Sequence, residues 1–349
     1  GPLKIIIIKR KIEVRYIPLF NLLVINVIAT IHEIAIIAPF HLNNAAIEKD
    51  NPIKIRNLLF SLQPSIKHNI TKEDIEIPSK SNISYEVYEK QVKSIKNLIH
   101  SGEIMQAVLS KEVTFDGKYD PLTLYRALRL INPSPYMFYM SFEEFNVIGA
   151  SPEILVQHQN DKVTIRPIAG TRKRGLSESE DLSNKIDLLE DEKEKAEHMM
   201  LVDLARNDLS KVSEVGTVQV DEMMIIEKYS HVMHMTSNVI GQKKEEATPV
   251  DCLKAALPAG TLSGTPKIRA MEILSEHEDR VRGIYGGSVG YIGFNGNLDT
   301  AIVIRTAIHT DESVKVGVGG GIVFDSTPKN EWHETESKLA VFREALKYK

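Results

Sequence analysis

From Gln106 to the C-terminus the chain sets strand-like runs beside long helical patterns, but not in the regular strand–helix–strand order that a parallel sheet requires. The strand-like runs are Gln106 to Phe115, Met137 to Ile148, Lys162 to Pro167 and Gly216 to Val220, followed by a glycine-rich section from Gly283 to Phe324. The helical patterns run from about Asp187 to Leu209, near Pro249 to Leu257, and from about Asn330 to Tyr348. Strands that follow one another without a crossover helix pair most simply as antiparallel neighbours. The pattern therefore predicts an α+β fold with largely antiparallel sheets, and 349 residues suffice for two domains or one large unit.

The N-terminal stretch reads differently. Lys4 to Ile8, Ile12 to Tyr16, Leu22 to Ile28 and Ile34 to Ala38 are dense in β-branched residues, which predicts a sheet-forming start. Residues 41–83 carry Asn43, Asn44, Pro52, Pro64 and Pro78 around one short helical pattern, Ile53 to Leu62, and read as a connector. From Ser84, a candidate N-cap, Tyr88, Val92, Ile95 and Ile99 recur at helical spacing until Gly102. The division is thus residues 1–82, sheet-forming region and connector, and residues 83–349, the catalytic region.

Composition narrows the class of function. Lys and Arg (43) nearly balance Asp and Glu (47), a net charge of −4 that supplies no positive field for nucleic acid. The most apolar stretch, Leu19 to Phe40, is interrupted by Asn21, Asn26, His32 and Glu33, too polar for a membrane span. The single cysteine, Cys252, permits no internal disulfide and reads as a buried helix thiol, which favours a reducing compartment. Gly1-Pro2-Leu3 lacks an initiator methionine and reads as an expression remnant. No charged segment followed by an apolar run and a cleavage site is found, so a cytoplasmic location is expected.

Two helical patterns carry paired carboxylates: Glu194 and Glu197 on one, Glu331 and Glu334 with Lys338 on the other. Residues three or seven apart share a helix face. Four carboxylates facing one another call for a hard cation such as Mg²⁺, whereas two separate solvated faces need none. The segment LVDLARND (Leu201 to Asp208) sets charges into an apolar helix, where buried charges need partners. GTLSGTPK (Gly260 to Lys267) lacks the spacing of a phosphate-binding P-loop. GVGGG (Gly317 to Gly321) lacks the dinucleotide fingerprint and fits either close approach of backbone N–H groups to an anion or a tight hairpin.

Six longer blocks carry a family resemblance: PIAGTRKRG (Pro167 to Gly175), KEKAEHMMLVDLARNDL (Lys193 to Leu209), YSHVMH (Tyr229 to His234), AGTLSGTPKIRAMEIL (Ala259 to Leu274), RGIYGGSVGYIGFNGNLDTAIVIRTA (Arg282 to Ala307) and VGGGIVFDSTPKNEWHET (Val318 to Thr335). In this order they resemble the signature blocks of the chorismate-utilising enzymes, and within that family most resemble the large, aminating subunits of anthranilate synthases. The resemblance implies two stacked, mainly antiparallel sheets with helices outside, and a lyase that converts chorismate and ammonia to anthranilate and pyruvate in tryptophan biosynthesis. By the same resemblance Glu197 and Glu334 bind Mg²⁺ directly and Glu194 and Glu331 through water. Arg305 and Tyr285 hold the enolpyruvyl carboxylate, Gly319, Gly320 and Gly321 form the glycine-rich substrate strand, and Lys338 adds charge near the metal. Gly170, Thr171 and Thr261 resemble ring-side contacts, Thr261 close to the chemistry. Glu153 resembles the acid that protonates the departing C4 hydroxyl, and His234 the histidine tied to loss of pyruvate. A carboxyl kept protonated by burial, and an imidazole titrating near neutrality, suit those tasks. His198, His231 and His333 read as ordinary packed residues.

Two positions sort members of the family. Relatives that use water as nucleophile carry a lysine base where this chain has Gln106, and para-aminating relatives commonly carry a lysine where it has Ala169. The resemblance thus favours ortho-amination, with the para-aminating aminodeoxychorismate synthases as the alternative within the family and a non-catalytic binding module as the alternative outside it. No glutaminase-like elbow surrounds Cys252, so ammonia is expected from a separate glutamine amidotransferase subunit. Pro135, Tyr136 and Met137 resemble one wall of the family's tryptophan site, but the LLES motif of the other wall is not found, and the N-terminal region reads as shortened.

Overall fold

The computed structural model describes residues 70–229 and 232–349, together with the backbone of a short antiparallel pair, β1 (Ile5–Ile6) and β2 (Ile36–Ile37). The rest of the sheet-forming start, the helical pattern Ile53 to Leu62 and His231 lie outside the described residues.

Two seven-stranded sheets form the body. The first has the order β12 (Gly264–Thr265), β4 (Gln106–Asp116), β16 (Ser313–Ile322), β15 (Thr306–His309), β6 (Asn146–Ser151), β5 (Tyr136–Ser141), with β3 (Lys80–Ser81) also on β4. The second has the order β10 (Gln219–Lys228), β11 (Val232–Gln242), β8 (Lys162–Ile165), β7 (Ile154–Gln159), β14 (Leu298–Ile302), β13 (Ser288–Ile292), with β9 (Ile168–Lys173) also on β11. Every pairing among these strands is antiparallel, as the lack of strand–helix–strand order requires. The fold is α+β.

Helices cover the outer faces. α2 (Pro121–Ile131) and α8 (Pro328–Ala345) close over the first sheet, burying Leu124, Leu128, Leu339 and Phe342 against Val113, Phe115, Ile148 and Val316. α1 (Tyr85–His100) and α7 (Lys267–His277) complete that side through Tyr88, Val92, Ile95, Ala270 and Ile273. α4 (Glu192–Ser210), α5 (Pro249–Ala256) and the short α6 (Gly260–Ser263) cover the second sheet, where Val202, Ala205, Leu209 and Cys252 meet Val156, Val163 and Val239. Phe138, Met140 and Val147 of the first sheet pack with Val289 of the second, which stacks the two. Ser84 caps α1 as its spacing predicts, its hydroxyl accepting the Val87 N–H at 3.4 Å.

Four boundaries differ from the sequence reading. The helix expected from about Asp187 is two helices, α3 (Glu178–Glu190) and α4, separated at Asp191. That residue is extended (φ −70°, ψ 103°), and its Oδ1 accepts the Lys193 and Glu194 N–H groups at 3.0 and 3.1 Å, an N-cap that outcompetes helix continuation. The run Met137 to Ile148 is a hairpin, β5 and β6, closed by the Phe142 N–H on the Phe145 carbonyl. The strand placed at Gly216 to Val220 begins instead at Gln219 and runs to Lys228, and β11 is masked in the sequence by its mixture of Met, His, Ser and Asn. Residues 70–82, read with the connector, join the body: β3 pairs β4, Ile77 lies in the core, and Thr71 bonds the C-terminal Lys349.

Candidate active site

Two short links carry the chain directly from a strand of one sheet to a strand of the other. β6 ends in the first sheet and, after Pro152-Glu153, β7 begins in the second; β14 ends in the second and, after Val303–Arg305, β15 begins in the first. The links are tied together: the Ile302 N–H donates to the Glu153 carbonyl and the Ala150 N–H to the Arg305 carbonyl, each at 3.0 Å. Arg305 holds φ of +49°, a conformation uncommon outside glycine and seldom kept without a use. Beside them opens a cavity of about 300 Å³.

Glu153, Thr171, His234, Thr261, Tyr285, Arg305, Gly319, Gly321 and Lys338 all line it, so residues spread over most of the described chain converge on one space. The Thr261 hydroxyl, on α6, donates to Glu153 Oε1 at 2.9 Å. Burial pushes the Glu153 carboxyl up to about 7, against the lowering pull of Thr261 and Lys338, so it holds its proton at or just below neutrality. His234 lies opposite Thr171 across β11 and β9, with Nδ1 3.0 Å from the Thr171 hydroxyl and 3.2 Å from the Gly170 carbonyl. Burial first, and Arg305 after it, lower its basicity, so the ring is neutral near pH 7 and Nδ1–H serves the Gly170 carbonyl.

The glycine strand has a geometric reason. A Cβ on Gly317 would stand 2.8 Å from the Tyr285 ring, and one on Gly319 2.8 Å from its hydroxyl, so only glycine lets Tyr285 lie against β16. Burial pushes that hydroxyl up to about 12, so it stays a donor. β16 pairs with β15 only through Val316, and beyond that point one edge is open. Facing Gly317 and Gly319 across the ladder, Glu112 and Ser110 give their N–H groups to Asn82 and Glu278. In an antiparallel ladder that makes these the non-bonded pairs, and the N–H and C=O groups of Gly317, Gly319 and Gly321 point to the open edge. Lys338 Nζ reaches the Gly319 carbonyl there at 2.7 Å and Glu334 Oε1 at 2.6 Å. Gly320, expected with the substrate strand, is not at the cavity. The strand's alternation turns it toward Glu331 and Tyr88, and its N–H belongs to the β4 ladder.

The carboxylates stand beside the cavity. Burial, then Glu194 and Glu334, raise the pKa of Glu197; burial, with Glu334 and Glu197 among the further causes, raises that of Glu331. Glu331 Oε2 is buried without a hydrogen bond among the described residues, and Glu197 has one weak partner, Gln106 Nε2 at 3.3 Å. Glu194 is held by Arg172 at 3.3 Å. No three carboxylate, imidazole or thiolate groups among the described residues close into a ligand set. Mg²⁺, which keeps several waters and takes one or two carboxylates, asks for no such set, and an orphaned carboxylate oxygen beside mutually repelling neighbours suits it.

A family model described as "chorismate binding enzyme" matches residues 27–344. The chain belongs to the chorismate binding enzyme family. Among curated relatives it is 51% identical over 282 residues to the anthranilate synthase component 1 of Pseudomonas aeruginosa, covering 80% of this chain and 55% of that one. It is 45% identical over 336 residues to the component 1 of Aquifex aeolicus, covering 93% and 68%. The crystal structure of anthranilate synthase component I from Streptococcus pneumoniae superposes with a TM-score of 0.75 at 40% identity, covering 86% of this chain and 66% of that one. The menaquinone-specific isochorismate synthase of Escherichia coli shares the fold (TM-score 0.74, 23% identity, covering 84% and 68%). The chain spans about half the length of the Pseudomonas relatives, 55% and 54%.

Within this family site some expected residues stand elsewhere. Gln106 touches Glu197 instead of lining the cavity, and Gly170 contributes its carbonyl to His234 while its Cα backs onto Leu188 and Glu194. Pro135, Tyr136 and Met137 do not form one wall. Pro135 lines the same cavity, the Tyr136 hydroxyl donates to Asp299 at 2.7 Å, and Met137 packs into the helix-covered core, since neighbours in a strand point to opposite faces. In LVDLARND only Asp208 is buried among the polar residues; it bonds Lys211 and Lys267, while Asp203 and Arg206 pair on the surface. That pairing also accounts for Lys267. His198 is a packed residue, bonded to Ser237 at 2.7 Å, and burial pushes the Cys252 thiol up to about 11. Sequence reading missed Tyr229, which lines the cavity edge-on to His234; its place at the head of the YSHVMH block was the available signal. No helix among the described residues is long and apolar enough to cross a membrane.

Proposed function

We propose that the chain is the aminating component of an anthranilate synthase, a lyase that converts chorismate and ammonia to anthranilate, pyruvate and water in tryptophan biosynthesis. The observation that carries this reading is Glu153: a carboxyl with pKa about 7, bonded to Thr261 and lining the same cavity as two cations, Arg305 and Lys338. A dianionic substrate with a hydroxyl to lose needs this combination. Arg305 and the Tyr285 hydroxyl bind the enolpyruvyl carboxylate, with the outward N–H groups of Gly319 and Gly321 beside them. Glu153 gives its proton to the C4 hydroxyl, which leaves as water while ammonia forms its bond at C2. His234 takes part in the later loss of pyruvate, when a ring proton is removed and the enolpyruvyl ether bond breaks. Glu197 and Glu334, with Glu194 and Glu331 through water, would hold Mg²⁺. When bound, the ion neutralises the ring carboxylate.

Ammonia comes from glutamine through a separate amidotransferase subunit, free ammonium being the poorer substitute, and the expected setting is the cytoplasm. Gln106 and Ala169 support ammonia over water and ortho- over para-amination, because neither can act as an amine nucleophile or a base near neutrality. The deciding experiment is mass spectrometry of the product formed from chorismate, Mg²⁺ and ammonium salt. Anthranilate is expected. Accumulation of 4-amino-4-deoxychorismate or isochorismate would overturn the assignment.

A further inference from the structure

One face of β4 is apolar at Leu109, Val113 and Phe115 and fully buried, and in its middle sits Lys111, 0% exposed. A methionine would fill that space without removing a charge from water, so the ammonium is costly unless its contacts achieve something else. Both of its contacts are on α8. Nζ lies 3.1 Å from the centroid of the Trp332 ring and 2.6 Å from Glu336 Oε1. Trp332 is the residue after Glu331, and Glu336 comes two after Glu334.

At 3.6 residues per turn, α8 thus has three stripes. Thr335, Leu339 and Phe342 face the core, Glu331, Glu334 and Lys338 lie on one flank, and Trp332, Glu336 and Arg343 lie on the other. The second flank is gripped. Tyr85 and Tyr88 meet the Trp332 ring edge-on at 5.6 and 5.3 Å, and Arg343 shares Glu336 with Lys111. A helix turns as a rigid body, so a clamp on one flank fixes where the carboxylates of the other point.

We infer that Lys111, through Trp332 and Glu336, is a positioning residue that sets the rotation of α8 and thereby the aim of Glu331 and Glu334. The inference rests on the proposed metal role of those carboxylates. A small octahedral cation tolerates little displacement of its ligands, so a fraction of an ångström at the helix is enough to be felt.

The test is binding of Mn²⁺ alone, followed by electron paramagnetic resonance, to the full chain and to Lys111→Met, Trp332→Leu and Glu331→Gln. Trp332→Leu removes the ring contact but leaves the ion pair, and it carries the test if Lys111→Met does not fold. Lys111→Met is expected to weaken Mn²⁺ about tenfold and to raise the metal concentration for half-maximal turnover by the same factor. KM for chorismate at saturating metal should stay within twofold, a split that general destabilisation would not produce. If Glu331→Gln weakens Mn²⁺ while folded Lys111→Met and Trp332→Leu bind it as the parent does, the positioning role is wrong and the metal reading stands. If Glu331→Gln also binds as the parent does, the metal reading itself fails.

Discussion

Two arginine–glutamate neighbourhoods that flank Tyr285 in space are built to opposite plans. At the end of α7, the Glu278 side chain is 5% exposed and fully engaged: it accepts from the Ser110 N–H and from Nε and Nη2 of Arg282. Arg282 has further bonds to the Leu262 and Val108 carbonyls at 2.6 Å, and although burial opposes its charge, Glu278 more than offsets this and raises its pKa. At the sheet crossovers, Arg305 has no hydrogen bond or ion pair from its guanidinium among the described residues, burial lowers its pKa, and Glu153 has only Thr261 on its carboxyl. A charge whose bonds are all made inside the protein is scaffold. One left open toward a cavity is held ready for a ligand. The first lock fixes Val108, Leu262 and Tyr285, three walls of the cavity that the second pair serves.

The sharpest way to break this contrast is at the open carboxyl. Glu153→Gln keeps shape and the Thr261 contact but supplies no acidic proton, and turnover should fall about a thousandfold, some 4 kcal/mol, with no fall in melting temperature. Unchanged kcat would remove Glu153 from the chemistry. Next, Arg282→Met leaves Glu278 buried beside a single N–H donor and should lower stability by about 3 to 4 kcal/mol in a denaturant titration. The double variant with Glu278→Leu should recover most of it, because losing both charges removes the desolvation cost as well as the attraction. Arg305→Met should behave in the opposite sense, with stability equal or higher and kcat/KM for chorismate lower by roughly 2 to 3 kcal/mol, about a hundredfold. A melting loss as large as that of Arg282→Met would show that Arg305 is scaffold after all.

The smallest effect is a pH dependence. The folded carboxyl of Glu153 holds its proton up to about 7, whereas the unfolded chain releases it near the ordinary glutamate value of 4.5. Between those values the native state binds more protons than the unfolded state, so the stability contributed by this group is full below about 4.5 and falls as pH rises toward 7. The advantage of Glu153→Gln over the parent should therefore grow by on the order of 2 kcal/mol across that window and then level off. A flat difference would mean that Glu153 is not enclosed.

Much of the candidate site stands in contiguous blocks: spacing puts Glu194 with Glu197, and Glu331 with Glu334 and Lys338, on shared helix faces, while the family resemblance supplied the roles proposed for them and for the glycines of β16. The α+β class was legible in the sequence, since the order of strands and helices excludes a parallel sheet. What sequence alone could not show is which of two neighbours faces the cavity. Gly319 and Gly320 differ by one residue, and the pleat sends their backbone groups to opposite sides. Pro135, Tyr136 and Met137 are consecutive and reach three different environments.

The sequence by itself determined local order: where helices are capped, that the strands pair antiparallel, and which blocks carry carboxylates, glycines and basic groups. Tertiary structure decided which charges are spent and which are open. Lys267 reaches Asp208, Lys111 reaches Glu336, and Arg282 reaches Glu278, Val108 and Leu262, while Arg305 reaches nothing but the cavity among the described residues. All four are basic residues in apolar or glycine-rich surroundings, which composition and periodicity do not tell apart; only the family resemblance singled out Arg305. A hydrogen bond is made across space, by groups as distant in sequence as Lys111 and Glu336, 225 residues apart, and only the folded arrangement of the two sheets fixes which partners are within reach.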